Sequence, residues 1–344
     1  MTVKTTPKIG IIPGDPSGIG PELVAKLLAA PDVRARADIL LIGDRHVFEL
    51  GQQQTGKPFV MQEVSRDEDT PPSVFAPDDG FALHALHTIQ PSEVSIATHS
   101  KASGQSTLRC LDRALDLIKN KAIDALVFAP LNKTSMHLAG IGHADELHYM
   151  AEKLEVRGYI SELNTLDAMW TSRVTSHIAL KDVADAITGA RIERASFLID
   201  QTLRRAGYEN PRVAVAGLNP HAGDGGNFGT EEIEIIAPAV RAMADKGMTV
   251  TGPWPSDTVF LKAIAGEIDA VVTMYHDQGQ IALKLLGFDR GVTVQGGLPV
   301  PVTTPAHGTA FDISGQNRAE VGAMKAAFVM AHRMVTHWNK DSEL

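Results

Sequence analysis

Short apolar runs alternate with amphipathic segments along most of the chain. Runs of four or five residues that are largely apolar are typical of strands covered on both faces, as in a mainly parallel sheet. The predicted strands are Lys8–Ile12, Ile39–Ile42, Ala125–Ala129, Ala168–Thr171, Val174–Ile178, Arg212–Ala216, Ala270–Met274 and Gly291–Val294.

The segments between these runs carry helical periodicity. Ser106–Asn120 places its apolar residues three or four positions apart, which predicts a helix with one buried face. Thr230 is a suitable N-cap for another helix, within which Pro238 predicts a kink or a late start. We expect a last helix over Ala319–Asn339 and irregular structure over Gly51–Gly80. Strands that alternate with helices indicate an α/β fold with right-handed crossovers.

Composition narrows the class of protein. The chain has 344 residues, 44% of them apolar and 21% charged, which suits two domains or one large α/β unit. The net charge of −9 argues against nucleic acid as a partner. Cys110 is the single cysteine, so no intrachain disulfide is possible. No apolar run approaches the roughly 20 residues that span a bilayer, and Met1–Lys8 lacks a signal-like region. We expect a cytoplasmic protein without a membrane partner.

Three histidines follow predicted strands, at the sheet edge where open α/β folds bind their ligands. They are His177, His221 and His276. Imidazole is a common ligand of divalent metals, and three protein ligands leave a coordination position open for substrate. The three residues are far apart in sequence and match no local zinc motif, so structural roles for each remain an alternative.

Carboxylates and amines occupy similar positions. Asp257 and Asp277 are candidates for proton transfer or for orienting ligands, although Asp257 also suits a helix N-cap. Lys133 follows the strand Ala125–Ala129 and could hold an anion. Lys284 lies eight residues beyond His276. Both lysines are equally compatible with ordinary solvated positions.

Two glycine-rich segments adjoin predicted helices. Gly14–Glu22 has the spacing G-x-x-x-G-x-G, so it lacks the G-x-G-x-x-G dinucleotide fingerprint. Asn219–Thr230 has four glycines in twelve residues, which suits a phosphate-binding loop, a mobile lid or a plain surface loop. The residues of this loop that we assign to cofactor binding are Gly223, Gly225, Gly226 and Asn227.

Several short motifs together are more specific than any one of them. In chain order these are Gly14-Asp15-Pro16, Gly18-Ile19-Gly20-Pro21-Glu22, Ala129-Pro130-Leu131-Asn132-Lys133, Gly142-His143, Asn219-Pro220-His221-Ala222-Gly223, Tyr275-His276-Asp277-Gln278-Gly279 and His307-Gly308-Thr309-Ala310. The set resembles the 4-hydroxythreonine-4-phosphate dehydrogenase (PdxA) family of vitamin B6 biosynthesis, from about Ile9 to the last helix.

The resemblance implies a two-lobed αβα fold akin to isocitrate and isopropylmalate dehydrogenases. The active site would lie in the interlobe cleft at a homodimer interface. We expect residues 1–132 plus 303–344 to form one lobe, and residues 133–302 to form a second that carries the metal ligands and dimer contacts.

The resemblance also implies NAD- or NADP-dependent oxidation of a 3-hydroxy acid, followed by decarboxylation. A divalent metal (zinc, or magnesium, cobalt or manganese) would be held by His177, His221 and His276, with one ligand donated across the dimer interface. The implied catalytic residues are Asp257, Asp277 and Lys133, and the implied substrate-binding residues are His143, Lys284 and Thr293.

The sequence departs from the family pattern at substrate-binding positions. Ala144 and Asp145 replace the Thr-Glu that follows the family histidine, Thr293 replaces an asparagine, and Val302 replaces an arginine. Loss of a guanidinium removes a bidentate partner for phosphate or carboxylate. The metal-binding and redox positions are kept, which favours the same type of reaction and leaves the substrate open.

Four functions therefore remain. The first is the biosynthetic enzyme, and the second is a catabolic relative acting on a phosphorylated four-carbon sugar acid or a terephthalate-type cis-dihydrodiol. A metal-dependent hydrolase and a sugar-acid binding protein without activity are the alternatives outside the family.

Overall fold

A computed structural model describes residues 6–65, 80–287 and 289–338. The chain divides into two compact units. The first comprises the described residues within Met1–Arg157 together with Leu298–His337, and the second those within Gly158–Gly297 together with Trp338. Both units combine strands and helices, so the predicted α/β class is confirmed.

Strands and helices alternate throughout. The strands are β1 (Lys8–Ile12), β2 (Asp38–Gly43), β3 (Met61–Ser65), β4 (Phe81–Ala85), β5 (Ala125–Phe128), β6 (Ser161–Leu166), β7 (Met169–Arg173), β8 (Val213–Ala216), β9 (Val250–Trp254), β10 (Ala270–Thr273), β11 (Val292–Gly296) and β12 (Val302–Pro305). The helices are α1 (Gly20–Leu28), α2 (Pro31–Arg34), α3 (Arg45–Thr55), α4 (Lys101–Lys119), α5 (Lys133–Leu138), α6 (Glu146–Lys153), α7 (Val183–Ala186), α8 (Gly189–Arg205), α9 (Ala237–Asp245), α10 (Val259–Ile264), α11 (His276–Gly287) and α12 (Gly322–His337). A π-helical turn, Glu232–Ile236, precedes α9.

The first unit is built on the strand order β3-β4-β2-β1-β5-β12, in which every pair is parallel. Ile9, Ile11 and Ile12 of β1 are completely buried, as expected for a strand covered on both faces. Ile12 lies in register with Phe128 of β5. The segments that follow β1 and β5 therefore leave the sheet side by side, which brings Gly14–Glu22 and Lys133 to one edge.

The second unit has the strand order β11-β6-β7-β10-β8-β9. The pairs from β7 to β9 are parallel, whereas β11, β6 and β7 form an antiparallel ribbon. The carboxyl ends of β7, β10, β8 and β9 meet at one edge of the sheet. Arg173, the last residue of β7, lies in register with Thr273, the last residue of β10.

Most predicted strands are confirmed, with ends that shift by up to two residues. The prediction at Val174–Ile178 is wrong because β7 already ends at Arg173. The amides of Val174 and Thr175 still donate hydrogen bonds to the carbonyl oxygens of Thr273, the last residue of β10, and of Met274. Five strands were not predicted from the sequence: β3, β4, β6, β9 and β12.

The predicted helices are present with different starts. The helix α4 begins at Lys101, where the Ser100 hydroxyl accepts a hydrogen bond from the Ser103 amide. The late start at Pro238 is confirmed, because α9 begins at Ala237 after the π-helical turn. Asn339, the predicted end of the last helix, lies outside the described residues.

The predicted irregular segment Gly51–Gly80 is wrong in part. It contains the end of α3 and the strand β3, whereas residues 66–79 lie outside the described residues. None of the helices in the described parts of the chain has the length and apolarity that a bilayer span requires.

Candidate active site

Two of the three predicted metal ligands lie together. His177 follows β7, and His276 follows β10, the parallel neighbour of β7. Their ring centroids are 5.5 Å apart. His221 follows β8 at the same edge, and its ring packs beside Phe228, with 6.2 Å between the centroids.

The donor chemistry at this edge suits a divalent metal. Asp277 Oδ1 lies 2.7 Å from His276 Nδ1, which favours the tautomer whose Nε2 can bind a metal. Within residues 6–65, 80–287 and 289–338 of one chain, no three His, Cys, Asp or Glu side chains are grouped as a metal site. The His177–His276 pair can thus supply part of a ligand set, to which further donors must be added.

The glycine-rich loop after β8 contains a left-handed turn. The φ angles from His221 to Gly226 are 54°, 51°, 81°, 43°, 66° and 100°. Residues other than glycine lose about 1–2 kcal/mol each in this conformation. Such strain is most often retained at functional sites, which supports a binding role for this loop.

The Glu232 carboxylate holds the start of the glycine-rich loop through hydrogen bonds. Its Oε1 accepts hydrogen bonds from the amides of Leu218 and Asn219, both at 2.7 Å. Gly223 has a φ of 81°, which favours glycine, and a Cβ at this position would lie 2.8 Å from Glu232 Oε2. Gly225 has open space around it, and Asn227 Nδ2 donates to Asp224 Oδ2 at 3.0 Å. Gly225 and Gly226 are therefore the positions at which a ligand could approach the backbone closely.

The other predicted site residues of the second unit are Asp257, Lys284 and Thr293, and they differ in exposure. Asp257 is exposed in the turn after β9, at the same sheet edge, and Thr258 rather than Asp257 occupies the N-cap of α10. Lys284 is exposed on α11, two turns beyond His276 and on the same face of the helix. Thr293 is buried in β11, where its hydroxyl accepts a hydrogen bond from Asn164 Nδ2 at 2.9 Å.

Lys133 and His143 belong to the first unit. Lys133 opens α5, whose N-cap Asn132 accepts a hydrogen bond from the Ser135 amide at 2.9 Å. Burial raises the pKa of Asp145, but hydrogen bonds from His148 and the charges of His148 and Lys133 outweigh burial and hold this pKa below its ordinary value. His143 Nε2 lies 3.2 Å from a carboxylate oxygen of Glu152.

Asp15 is a buried acid whose sequence motif predicted only a turn. It is fully buried, its Oδ1 accepts the Ser17 amide at 2.8 Å, and its Oδ2 has no hydrogen-bond partner. Burial raises the pKa of Asp15, although the Ser17 and Ser135 hydrogen bonds and the His99 charge oppose this. The sequence signal for a functional Asp15 was its motif, Gly14-Asp15-Pro16, which follows β1.

Val302 and Ala144, two residues that depart from the family pattern, differ in burial. Val302 is completely buried in β12, opposite Leu126 of β5, so its side chain belongs to the core of the first unit. Ala144 is exposed just before α6.

Comparison with known proteins identifies the family. Residues 35–331 match the family described as pyridoxal phosphate biosynthetic protein PdxA. The chain is 49% identical over 339 residues to a Pseudomonas aeruginosa protein whose name places it among the 4-hydroxythreonine-4-phosphate dehydrogenases, covering 98% of this chain and 99% of the relative. It is 38% identical to the D-threonate 4-phosphate dehydrogenase of Salmonella typhimurium, with 96% and 99% covered.

Comparison with solved structures identifies the same family. The crystal structure of 4-hydroxythreonine-4-phosphate dehydrogenase from Klebsiella pneumoniae matches with a TM-score of 0.83 and 35% identity, covering 97% of this chain and 99% of that one. Relatives named dehydrogenases imply a nicotinamide cofactor. The chain therefore belongs to the PdxA family and is an oxidoreductase of the dehydrogenase class.

Proposed function

We propose that the protein oxidises a 3-hydroxy acid with NAD or NADP and a divalent metal, and that the oxidised acid then loses CO₂. The first candidate substrates are 4-hydroxythreonine 4-phosphate and D-threonate 4-phosphate, which the names of the relatives give. The observation that carries the proposal is the His177–His276 pair, whose ring centroids lie 5.5 Å apart at the sheet edge where the glycine-rich loop after β8 also begins.

His177, His221 and His276 would hold the metal. When bound, a divalent metal supplies Lewis-acid stabilisation of negative charge on a substrate oxygen. Asp277 would keep His276 in the tautomer that leaves Nε2 for the metal, through the 2.7 Å contact with Nδ1. A second copy of the chain would complete the ligand set.

Asp257 is the group that we assign to proton transfer. It is exposed at the sheet edge, where its carboxylate can accept the proton of the substrate hydroxyl. When bound, nicotinamide supplies the acceptor for the hydride. Lys284 and Lys133 would hold the anionic groups of the acid, while His143 and Thr293 would orient it. Gly223, Gly225, Gly226 and Asn227 would line the cofactor site.

An apolar surface on the second unit supports a homodimer. Leu261 and Ile264 of α10 and Ile281 and Leu285 of α11 are all more than half exposed. Both helices pack on one core cluster through Val259, Phe260, Ala263 and Leu283. Exposed apolar side chains on neighbouring helices are typical of surfaces that a partner covers. Since α11 begins at His276, a partner docked here would lie beside the metal ligands.

A second candidate is a dehydrogenase of the same type that acts on a different hydroxy acid. The supporting observation is that Ala144 and Thr293 replace residues expected in the family, while His177, His221 and His276 are kept. A terephthalate-type cis-dihydrodiol is one candidate substrate for such a dehydrogenase.

The test is a turnover assay with the purified protein. It combines NAD or NADP, one of several divalent metals, and a panel of D-threonate 4-phosphate, 4-hydroxythreonine 4-phosphate, D-threonate and a terephthalate cis-dihydrodiol. We expect nicotinamide reduction with CO₂ release, which His276→Ala abolishes and the exposed control His337→Ala leaves intact. Hydrolysis without nicotinamide reduction, or full activity of His276→Ala, would refute the proposal.

A further inference from the structure

Three strands of the second unit present a polar row on one face. Gln295 of β11 lies in register with Glu162 of β6, and Arg173 of β7 reaches the same Glu162 carboxylate. One step along the ribbon, Thr293, Asn164 and Thr171 form a second row. Side chains alternate between faces along a strand, so Gln295 and Thr293 share the face on which Arg173 and Asn164 meet.

Most of these side chains have their hydrogen-bond partners within the polar face or beside it. Arg173 donates to Glu162 Oε2 at 2.6 Å, to Asn164 Oδ1 at 3.0 Å and to Ser176 Oγ at 3.0 Å. Asn164 also donates to Thr293, and Gln280 of α11 donates to Asn164 Oδ1 at 2.6 Å. Arg173 and Glu162 form an ion pair, so the polar face carries no net charge from these two groups.

Gln295 is the exception. Its side chain is 2% exposed, and neither its Oε1 nor its Nε2 has a hydrogen-bond partner. A buried polar group without a partner costs about 1–3 kcal/mol of stability. Such a cost is offset where a ligand supplies the missing hydrogen-bond partners.

The polar row lies at the same sheet edge as the metal ligands. Arg173 ends β7 opposite Thr273, which ends β10, and His177 and His276 follow these two strands. Since neighbouring strands are about 4.8 Å apart, β11 lies roughly 10 Å from β7. This span is comparable to the length of a small substituted acid.

We propose that Gln295 is a specificity-determining residue that binds a hydroxyl group of the substrate. This inference rests on the proposed function for the identity of the substrate class. A carboxamide offers both a donor and an acceptor, and a hydroxyl group matches both. A phosphate dianion only accepts, so it would leave Oε1 unpaired next to Glu162.

The test compares Gln295→Leu with the wild type. Leucine has a similar volume and no polar atoms. The substrates are D-threonate and its 2-deoxy and 4-deoxy analogues. We expect the wild type to favour D-threonate over one analogue by about tenfold in kcat/KM, the size of one or two hydrogen bonds. Gln295→Leu should lose this preference, mainly through KM. The control is Gln316→Leu, at an exposed position of the first unit.

Stability gives an independent measurement. Because leucine removes an unpaired buried amide, the melting temperature of Gln295→Leu without ligand should equal or exceed that of the wild type. A purely structural glutamine would instead lose stability on substitution, and all three acids would then suffer equally. Such an equal loss, or an unchanged preference, would overturn the inference.

The two proposals can fail separately. If the wild type reduces neither NAD nor NADP with any acid of the panel, the proposed function fails. The role of Gln295 is then measured by calorimetric binding of D-threonate and the two deoxy analogues to wild type and Gln295→Leu. Equal affinities for the three acids in the wild type would overturn it.

Discussion

The imidazole rings of His177 and His276 lie with their centroids 5.5 Å apart, although the two residues are distant in sequence. Their proximity follows from β7 and β10 being parallel neighbours that end in register at Arg173 and Thr273. The sheet thus places two potential metal ligands at its carboxyl edge without any local motif. Asp277 then determines which nitrogen of His276 faces outward.

Removing the Asp277 carboxylate should weaken metal binding. In Asp277→Ala, His276 Nδ1 loses its partner at 2.7 Å, and the ring is no longer fixed in the tautomer that presents Nε2. We expect the affinity for zinc to fall by about 10–100-fold, the usual effect of losing such a partner. Competition with a chromogenic chelator measures the affinity. Asp245→Ala, at an exposed position of α9, is the control. Unchanged zinc affinity in Asp277→Ala would contradict the prediction.

The strands that the sequence predicted well are those with simple physical signatures. Apolar runs such as β1 and β10 are buried on both faces, and apolar periodicity alone identifies them. The strand β6 reads Ser-Glu-Leu-Asn-Thr-Leu because one of its faces carries the polar network, so the same criterion misses it. Polar strands of this kind are where sequence patterns fail and where specificity resides.

The candidate site was predictable only as a set of positions. The sequence placed His177, His221 and His276 at strand ends, and the order of the strands then decides which rings meet. The Gln295–Glu162 pairing could not be predicted, because it depends on the register of antiparallel strands far apart in the chain.

His84 should make the stability of the protein depend on pH. It is fully buried in β4, and its Nε2 accepts a hydrogen bond from Arg113 Nε at 2.8 Å. Burial, with the Arg113 charge in second place, lowers the pKa of His84 to about 4. In the unfolded chain a histidine pKa is about 6.5. Below pH 6.5 the unfolded state therefore binds a proton that the folded state does not take up until about pH 4.

The free energy of unfolding should accordingly fall as the pH decreases through this window. A difference of roughly two pKa units or slightly more corresponds to about 3 kcal/mol. His84→Gln keeps an acceptor for Arg113 and removes the titration. Urea unfolding at pH 7 and pH 5 should show a smaller loss for this variant than for the wild type. Equal losses in the two proteins would exclude His84 as the cause.

Gly104 should be intolerant of alanine although it lies inside a helix. A Cβ at this position of α4 would lie 1.9 Å from the carbonyl oxygen of Ser135 in α5. The overlap should outweigh the roughly 1 kcal/mol that alanine usually adds to helix stability, and cost about 1–3 kcal/mol. Gly189→Ala in α8 is the matched control, because its Cβ would meet Ala239 Cβ at an ordinary 3.8 Å. Urea unfolding of the two variants measures the contrast, and a stabilised Gly104→Ala would contradict it.

Val302 provides a test of whether the substrate site can be restored by a single residue. The resemblance places an arginine at this position, but Val302 is completely buried in β12 against β5. Val302→Arg should therefore bury a charge without a partner and lower the free energy of unfolding by about 3 kcal/mol or more. Val302→Met, which has similar length and no charge, should lose less, so the difference between the two variants isolates the charge. Urea unfolding gives this difference, and turnover of D-threonate against D-threonate 4-phosphate gives the preference for phosphate. An arginine variant as stable as the wild type, with a new preference for the phosphorylated acid, would show that residue 302 faces the substrate instead.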